Sequence, residues 1–345
     1  MKKFQTIFAC AVLAALASCS NEHELSQQGA EDTPIRIQAN VGGITTKAAS
    51  NIQGTQFQAG EKIGIFLREH LLQGETSIKS YQLPLEGTTK SSSSDMMIEL
   101  PATEYYPSNG RGVDCLAIYP KQLNSSNIDN HTSTFSVQED QSTEANYKAS
   151  DLMYAYKANT TNSNNKPIEL TFDHLLSKII IVLEADASVD KNILNDAYIE
   201  LSGLKKTIGI NVSDMAQQSG AASSESADGS VSLTSTLQDD ATIKFGKQTV
   251  SASVDTQTDE AAVIIVPQNI PQDTKFIKVK LSKDNGSTYY ATYTYKVTES
   301  AGLTFVKKTA YKYTIKLKAG GIEVKSVKIN DWTPGTPGSG NATLD

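Results

Sequence analysis

Residues 275–297 read KFIKVKLSKDNGSTYYATYTYKV, and this stretch decides the fold class. Ile277, Val279 and Leu281 alternate with polar residues, and after the turn sequence at 284–287 the apolar residues alternate again. A period of two places one set of side chains on one face of a strand, and an Asn-Gly pair favours the positive φ angles of a tight turn. The stretch therefore predicts a β-hairpin.

The same alternation extends over most of the chain. It recurs at 62–67, 113–119, 167–172, 178–183, 198–201, 261–266 and 311–317. Loops rich in Ser, Asn, Thr and Gly separate these segments, and no long amphipathic helix is visible. Many short strands with turn-rich connections predict an all-β fold of β-sandwiches. The unbroken apolar run 179–183 predicts a central strand that is buried on both faces.

The N-terminus has the pattern of an exported lipoprotein. Lys2 and Lys3 precede an apolar run that is too short to span a bilayer, and residues 16–19 read LASC. This arrangement predicts a signal peptide over residues 1–18, cleavage between Ser18 and Cys19, and acylation of Cys19, for example with palmitate. The alternative is an ordinary signal peptide followed by a coincidental cysteine. Either reading places the protein outside the cytoplasm.

Charge and cysteine content narrow the possible functions. Loss of Lys2 and Lys3 with the signal leaves 29 basic against 38 acidic residues, a net charge near −9. Without a basic stripe a nucleic-acid partner is not expected. Besides Cys19, the mature chain would hold only Cys115, so we expect no disulfide. Cys115 alternates with apolar neighbours and is predicted to be a core residue.

No motif predicts catalysis. The chain has no phosphate-binding glycine loop, no zinc-binding histidine pair and no nucleophile elbow. Asp173, His174 and Ser177 are the residue types of a hydrolase triad, but adjacent residues of a strand point to opposite faces, so we predict structural roles. Acidic turns at 239–240 and 284–285 resemble calcium ligands, yet turn chemistry explains them. We expect no enzyme, cofactor or metal; two carboxylates from distant loops are the open alternative.

A series of segments follows the lipoprotein signal in order. They are IRIQA at 35–39, TTKA at 45–48, FQAGEKIGIF at 57–66, VDCLAIYP at 113–120, SDLMYA at 150–155, LTFDHLLSK at 170–178 and INDW at 329–332. Together they resemble the fimbrillin family of outer-membrane lipoproteins, the type V pilins. The longest, FQAGEKIGIF, is similar to the family pattern F-x-x-G-D/E-x-I-G-I-F.

The resemblance implies an organisation and a function. It implies two tandem transthyretin-like β-sandwich domains, at 48–165 and 166–332, after an acylated tether and cleavable first strand at 19–47 and before a flexible tail at 333–345. It also implies a structural subunit of surface fimbriae at the cell outer membrane that supports adhesion. Such subunits join other fimbrial subunits by donor-strand exchange after an arginine- or lysine-specific protease removes the N-terminal segment.

The sequence offers a first strand and a cleavage position. Ile35, Ile37, Ala39 and Val41 alternate, as a strand that fills an apolar groove requires. Lys47 stands among small residues, which suits a protease, so we predict cleavage between Lys47 and Ala48, with Arg36 as the second choice. The alternative is that Lys47 is an ordinary loop lysine of an uncleaved lipoprotein.

The C-terminus and the tyrosines leave further alternatives for the function and for the strand that is donated. The tail 333–345 holds prolines and glycines and is a poor donor strand, so either 322–332 is donated or the chain is a tip or anchor accessory that only receives a strand. Another alternative is a non-polymerising outer-membrane lipoprotein that binds glycans. Glycan sites need exposed aromatic rings, whereas the tyrosines here fall mostly on strand faces predicted as core. A host or bacterial surface receptor is a further possible partner.

Overall fold

The structure is a computed structural model that describes residues 33–41, 57–70, 85–92, 95–121, 131–161, 166–212, 231–328 and 340–344. Strands dominate these ranges, with one short α-helix, α1 (Glu144–Ala149), and a 3₁₀ helix (Lys191–Asp196). The predicted all-β fold is confirmed. No helix within the described ranges is long and apolar enough to cross a membrane.

Seven of the first eight strands form a closed barrel. The eight strands are β1 (Ile37–Val41), β2 (Lys62–Glu69), β3 (Leu85–Ser92), β4 (Asp95–Glu99), β5 (Val113–Tyr119), β6 (His131–Ser136), β7 (Met153–Thr160) and β8 (Ile168–His174). All except β6 are hydrogen-bonded in the order β1-β4-β3-β2-β5-β7-β8. The barrel closes because β8 pairs in parallel with β1.

The remaining strands build a second, open sheet. They are β9 (Ser177–Ala185), β10 (Ala197–Val212), β11 (Val231–Lys247), β12 (Ala261–Ile265), β13 (Gln268–Ile270), β14 (Lys275–Leu281), β15 (Ala291–Lys296), β16 (Leu303–Phe305), β17 (Thr309–Lys318), β18 (Gly321–Lys328) and β19 (Gly340–Leu344). Their order is β11-β10-β14-β15-β19-β18-β17-β9-β12, and β13 and β16 form a separate pair. The hairpin predicted at 275–297 is β14 and β15.

Two apolar cores hold these sheets. One fills the barrel. The other lies against the second sheet and includes Phe66, Leu116, Ile118 and Tyr154, which belong to barrel strands. Strand β9 lies between β17 and β12, and its residues 177–183 are all buried. The prediction of a central strand buried on both faces is therefore confirmed.

Strand β6 belongs to the second sheet, although its neighbours along the chain belong to the barrel. Along the chain it lies between β5 and β7 of the barrel, yet it pairs with β10 from Ser136 opposite Thr207 to His131 opposite Val212. The hydroxyls of Ser136 and Thr207 are 2.7 Å apart, and Phe135 is fully buried in the core of the second sheet. Hydrogen bonds and packing therefore both connect the two sheets.

The change of sheet falls between His174 and Ser177. Strand β8 pairs with β1 and β7, whereas β9 is the first strand after it that pairs in the second sheet. The predicted division at residues 165 and 166 lies before β8 and does not coincide with this change. The division into two domains stays a prediction.

The outer edge of β12 is covered by a side chain. Gln141 accepts a hydrogen bond from the backbone N–H of Ile264 and donates one to its carbonyl, both at 2.8 Å. Gln141 is itself buried. Its amide takes the place of a neighbouring strand and removes a site at which another chain would pair with this edge.

Lys178 is a charged residue inside this largely apolar structure. It lies on β9, is only 6 % exposed and has its ammonium 6.0 Å from the ring centroid of Tyr147. Burial lowers the pKa of Lys178 to about 8, against the opposing influence of Asp151 and Glu260. The protonated form is therefore disfavoured in the folded state.

The depressed pKa of Lys178 predicts a pH-dependent stability. The unfolded state binds its proton more tightly, so the penalty is present below pH 8 and is relieved as the pH rises towards the ordinary value of 10.5. We expect the free energy of unfolding of Lys178→Met to exceed that of the native chain at pH 7, with the difference shrinking between pH 8 and 10. Urea unfolding at several pH values measures this, and a difference independent of pH would contradict it.

The position of β6 predicts a large loss of stability when the buried ring of Phe135 is truncated. We expect Phe135→Ala to lower the free energy of unfolding by about 3–5 kcal/mol, because it leaves a cavity in the shared core. The control is Val254→Ala, at a side chain that is 43 % exposed, with an expected change within about 0.5 kcal/mol. Denaturant unfolding compares the two, and equal effects would contradict the role assigned to β6.

Candidate functional site

The most distinctive site in the barrel is the position of β1, which we call the first-strand slot: the gap between β4 and β8 that β1 fills. Strand β1 pairs in parallel with β8 at five positions, from Ile37 opposite Ile168 to Val41 opposite Phe172. On its other side it pairs in antiparallel fashion with β4 at Ile37 and Gln38. Both backbone edges of β1 are therefore in use.

The residues just before β1 extend this pairing. The N–H of Ile35 donates to the carbonyl of Glu104 at 2.7 Å, and the N–H of Tyr106 donates to the carbonyl of Thr33 at 3.1 Å. The carbonyl of Arg36 accepts from the N–H of Ile168 at 2.7 Å. The segment is thus held by backbone bonds over its described length.

The inward side chains of the segment are apolar and fully covered. Ile35, Ile37 and Ala39 are buried, whereas Arg36 and Asn40 are exposed. The predicted alternation is therefore confirmed, with Val41 partly buried at the end. Burying one isoleucine contributes about 1.5–3 kcal/mol. The floor of the slot consists of barrel-core residues, namely Phe57, Ile63, Ile65, Ile98, Tyr106, Cys115, Ile168, Leu170 and Phe172.

The structure explains why the segment FQAGEKIGIF has an aromatic residue at position 57 and a glycine at position 60. The Phe57 ring lies 4.9 Å from that of Phe172 and 5.2 Å from that of Tyr119, with edge-to-face geometry in both pairs. Gly60 has a φ of 93°, which disfavours other residues, and its N–H donates to the carbonyl of Thr89. The aromatic residue anchors the start of β2 beside the slot, and the glycine turns the chain into that strand.

Cys115 lies inside the barrel core, as predicted. It is a free cysteine with no exposed surface, and burial raises the pKa of its thiol well above the ordinary value. It belongs to the same cluster as Ile35 and Ile37. Its thiol is therefore shielded from solvent and held in the protonated form.

The predicted processing residues fall partly outside the described chain. Ser18, Cys19, Lys47 and Ala48 lie outside the described residues, and their roles stay predictions. Arg36, the second choice for cleavage, has an exposed side chain, but its carbonyl is bound to Ile168 within the paired segment. A protease needs an unpaired extended backbone, so the structure disfavours a cut at Arg36.

The suspected hydrolase residues do not form a triad. His174 Nδ1 lies 2.8 Å from a carboxylate oxygen of Asp151, not of Asp173. The Ser177 hydroxyl donates to the carbonyl of Val306, and Asp173 faces Lys308 at 3.5 Å. Each of the three residues has a different partner, so they do not form a triad with one another, and their structural roles stay a prediction.

The acidic turns are likewise occupied by protein groups. Asp239, with a φ of 58°, accepts from the Thr207 hydroxyl, and Asp240 forms an ion pair with Lys205 at 2.8 Å. Asp284 accepts from the Thr288 hydroxyl and other donors of its own loop. Within the part of the chain that the structure describes, no group of three His, Cys, Asp or Glu side chains is arranged to hold a metal ion.

The C-terminal region contains a strand that the sequence did not predict. Residues 340–344, assigned by sequence to the flexible tail, form β19 between β15 and β18. The donor candidate 322–332 corresponds to β18, which pairs with β17 at eight positions from Tyr311 to Lys318; residues 329–332 lie outside the described chain. The weak alternation of Ala342 and Leu344 was the available signal for β19.

Solved structures share this fold. A protein from Bacteroides uniformis assigned to cell adhesion is similar at 19 % identity over 87 % of this chain and 98 % of its own, with a TM-score of 0.55. Another from Bacteroides ovatus gives 15 % identity, 87 % and 97 % coverage, and a TM-score of 0.59. At these identities the likeness shows the fold alone. The comparison with curated proteins finds no match.

The fold and the slot together define a class: an all-β protein whose barrel is closed by a strand from its N-terminal region. A family model described as fimbrillin-like matches residues 46–332, which is most of the chain. The chain belongs to the fimbrillin-like family. The predicted resemblance is therefore confirmed.

The slot predicts which positions of β1 matter for stability. We expect Ile37→Ala to lower the free energy of unfolding by about 2–5 kcal/mol, because the truncated side chain leaves a void above the barrel core. Asn40→Ala, on the exposed face of the same strand, is the matched control with an expected change within about 0.5 kcal/mol. Denaturant unfolding of the two variants tests the assignment, which equal losses would overturn.

Proposed function

We propose that this chain is a noncatalytic fimbrial subunit, exported as a lipoprotein on Cys19 and assembled at the outer membrane by strand exchange. Membership of the fimbrillin-like family supports a fimbrial subunit or accessory role. The observation that carries the assembly mechanism is β1 itself, which closes the barrel wall with its inward side chains buried although it lies N-terminal to Lys47. A cut after Lys47 would leave β1 attached through noncovalent contacts alone.

Departure of β1 would create a strong acceptor. The backbone groups of β8 that now face β1 would lose their partners, and the apolar floor would be open to water. Unpaired backbone groups and exposed apolar surface are both unfavourable, so an incoming strand with alternating apolar residues is favoured. Strand addition of this kind joins separate chains through main-chain hydrogen bonds.

The C-terminal strands are the donor that we propose. Ile322 and Val324 of β18 are buried and alternate, as the floor of the slot requires. Strand β19 pairs with β15 at two positions and with β18 at four, so its release breaks a short ladder, whereas release of β18 also breaks its eight-position ladder with β17. A subunit that donates this region would extend a filament, and one that only receives would be a tip or anchor accessory.

The N-terminus of the surface form tests the proposed cleavage. We expect the protein in isolated fimbriae to begin at Ala48, and Lys47→Ala to abolish its incorporation because β1 can no longer be released. Lys90→Ala, at an exposed lysine of β3, is the control and should assemble normally. Fimbriae containing only the intact acylated form would overturn the polymerising role and favour an anchor.

Cys115 reports on the slot directly. We expect a maleimide to label Cys115 slowly in the intact protein and much faster after a lysine-specific protease cuts at Lys47, because the departing strand uncovers the barrel core. An excess of a peptide with the sequence of residues 33–41 should restore protection. Labelling that is unchanged by the cut would contradict strand release, and mass spectrometry measures it.

A further inference from the structure

Two exposed tyrosines and one half-buried tyrosine lie at one end of the second sheet. Tyr289 and Tyr290, in the loop between β14 and β15, are 40 % and 54 % exposed. The ring of Tyr198 on β10 meets that of Tyr289 edge to face, with the centroids 5.9 Å apart. We call Tyr198, Tyr289 and Tyr290 the tyrosine face. Exposed aromatic rings that lie together on a surface are typical of binding sites.

A tightly bonded loop holds the tyrosine face in place. Asp284 accepts from the Ser282 hydroxyl at 2.6 Å and from both the N–H and the hydroxyl of Thr288, at 2.8 and 2.6 Å. These donors lower the pKa of Asp284 to about 2. Gly286 has a φ of 85°, and a Cβ there would lie 3.3 Å from the Tyr198 ring. The loop that carries Tyr289 and Tyr290 is therefore held by its own hydrogen bonds, which lowers the entropic cost of binding a ligand there.

Polar groups border the rings. The Tyr290 hydroxyl donates to Asp196 at 2.7 Å. The ammonium of Lys280 is 4.9 Å from the Tyr289 ring centroid and pairs with Glu200 at 2.6 Å, and that of Lys283 is 5.4 Å from the Tyr290 centroid. The face therefore combines apolar ring surface with hydrogen-bonding groups and charges.

The lysines around the tyrosine face have few carboxylate partners. Among the described residues, neither Lys278 nor Lys283 has a carboxylate oxygen within 4.0 Å, and Lys247 contacts the side-chain amide of Asn285 instead. In contrast, Asp284 is fully occupied by donors of its own loop. The ammonium groups are thus available for an anionic group of a ligand, although the chain as a whole is acidic.

We propose that the tyrosine face binds an acidic saccharide. The C–H face of a pyranose ring stacks on the exposed Tyr290 ring, and the carboxylate or sulfate of the sugar pairs with Lys283. The Asp196 carboxylate accepts hydrogen bonds from sugar hydroxyls beside its contact with Tyr290. A purely apolar partner would leave Asp196 and Lys283 desolvated without compensation, which is unfavourable. The proposal does not involve the first-strand slot, because the tyrosine face is formed by β10 and the loop between β14 and β15, whereas the slot belongs to the barrel.

Titration of the intact protein with defined oligosaccharides tests the proposal. The probes are a hyaluronan oligomer, which carries carboxylates, a chondroitin sulfate oligomer, which also carries sulfates, and a neutral N-acetylglucosamine oligomer. We expect binding of at least one acidic oligomer, weakened by salt, and at least about tenfold weaker binding of the neutral one. The two acidic probes show which anionic group is preferred.

Variants locate the binding. We expect Tyr290→Ala and Lys283→Glu each to weaken binding of the acidic oligomer about tenfold or more, and Lys283→Arg to retain it. Tyr105→Ala, at a tyrosine that is 51 % exposed elsewhere, and Lys307→Glu, at another exposed lysine, are the matched controls. Circular dichroism and thermal unfolding establish that the variants fold.

Three binding results would overturn the proposal. They are no binding of either acidic oligomer at millimolar concentration, equal binding of the neutral oligomer, and equal effects of Tyr290→Ala and Tyr105→Ala. A Tyr290→Ala variant that fails to enter fimbriae while the native chain binds no saccharide would also overturn it, since the face would then contact another subunit.

Discussion

The parallel pairing of β1 with β8 is the constraint on which the barrel depends. Without β1 the barrel would be an open sheet with β4 at one edge and β8 at the other, and the core residues below would lose their cover. A strand that closes a barrel usually belongs to the same continuous unit as its neighbours. Here it comes from the start of the described chain, and a segment containing Lys47 separates it from β2.

The lysines of the second sheet fall into two groups with different surroundings. On β17, Lys312, Lys316 and Lys318 each face a glutamate on a neighbouring strand or segment, namely Glu260, Glu184 and Glu323. Surface pairs of this kind contribute at most about 1 kcal/mol each, so they mainly keep an exposed sheet face polar. Around the tyrosine face such compensation is mostly missing. Among the residues that the structure describes, the lysines of the second sheet are therefore paired with carboxylates in one region and mostly unpaired in another, which the net charge of the chain does not reveal.

The local alternation of apolar and polar residues predicted the strands well, but it did not predict which distant strands pair with one another. The patterns at 179–183 and 275–297 identified β9, β14 and β15, because burial on one or both faces leaves a direct mark on the sequence. Nothing in the polar stretch around Phe135 indicated that β6 would join β10, since pairing partners leave no local signal. The tyrosines were predicted mainly as core, which holds for Tyr293 and Tyr295 but not for Tyr289 and Tyr290. Two adjacent tyrosines were a usable warning, because two neighbouring residues of a strand cannot both point into the core.

The crossing of β6 has a consequence for the order of folding. The barrel needs β8, and the second sheet needs a strand that precedes β7, so neither sheet is complete until distant parts of the chain have met. Ser136 and Thr207, which touch through their hydroxyls, are 71 positions apart. Contacts of such sequence separation slow folding, because loop closure must precede the gain from pairing. The second sheet is therefore completed only after β6 has reached β10, whereas every strand of the barrel precedes β9 along the chain.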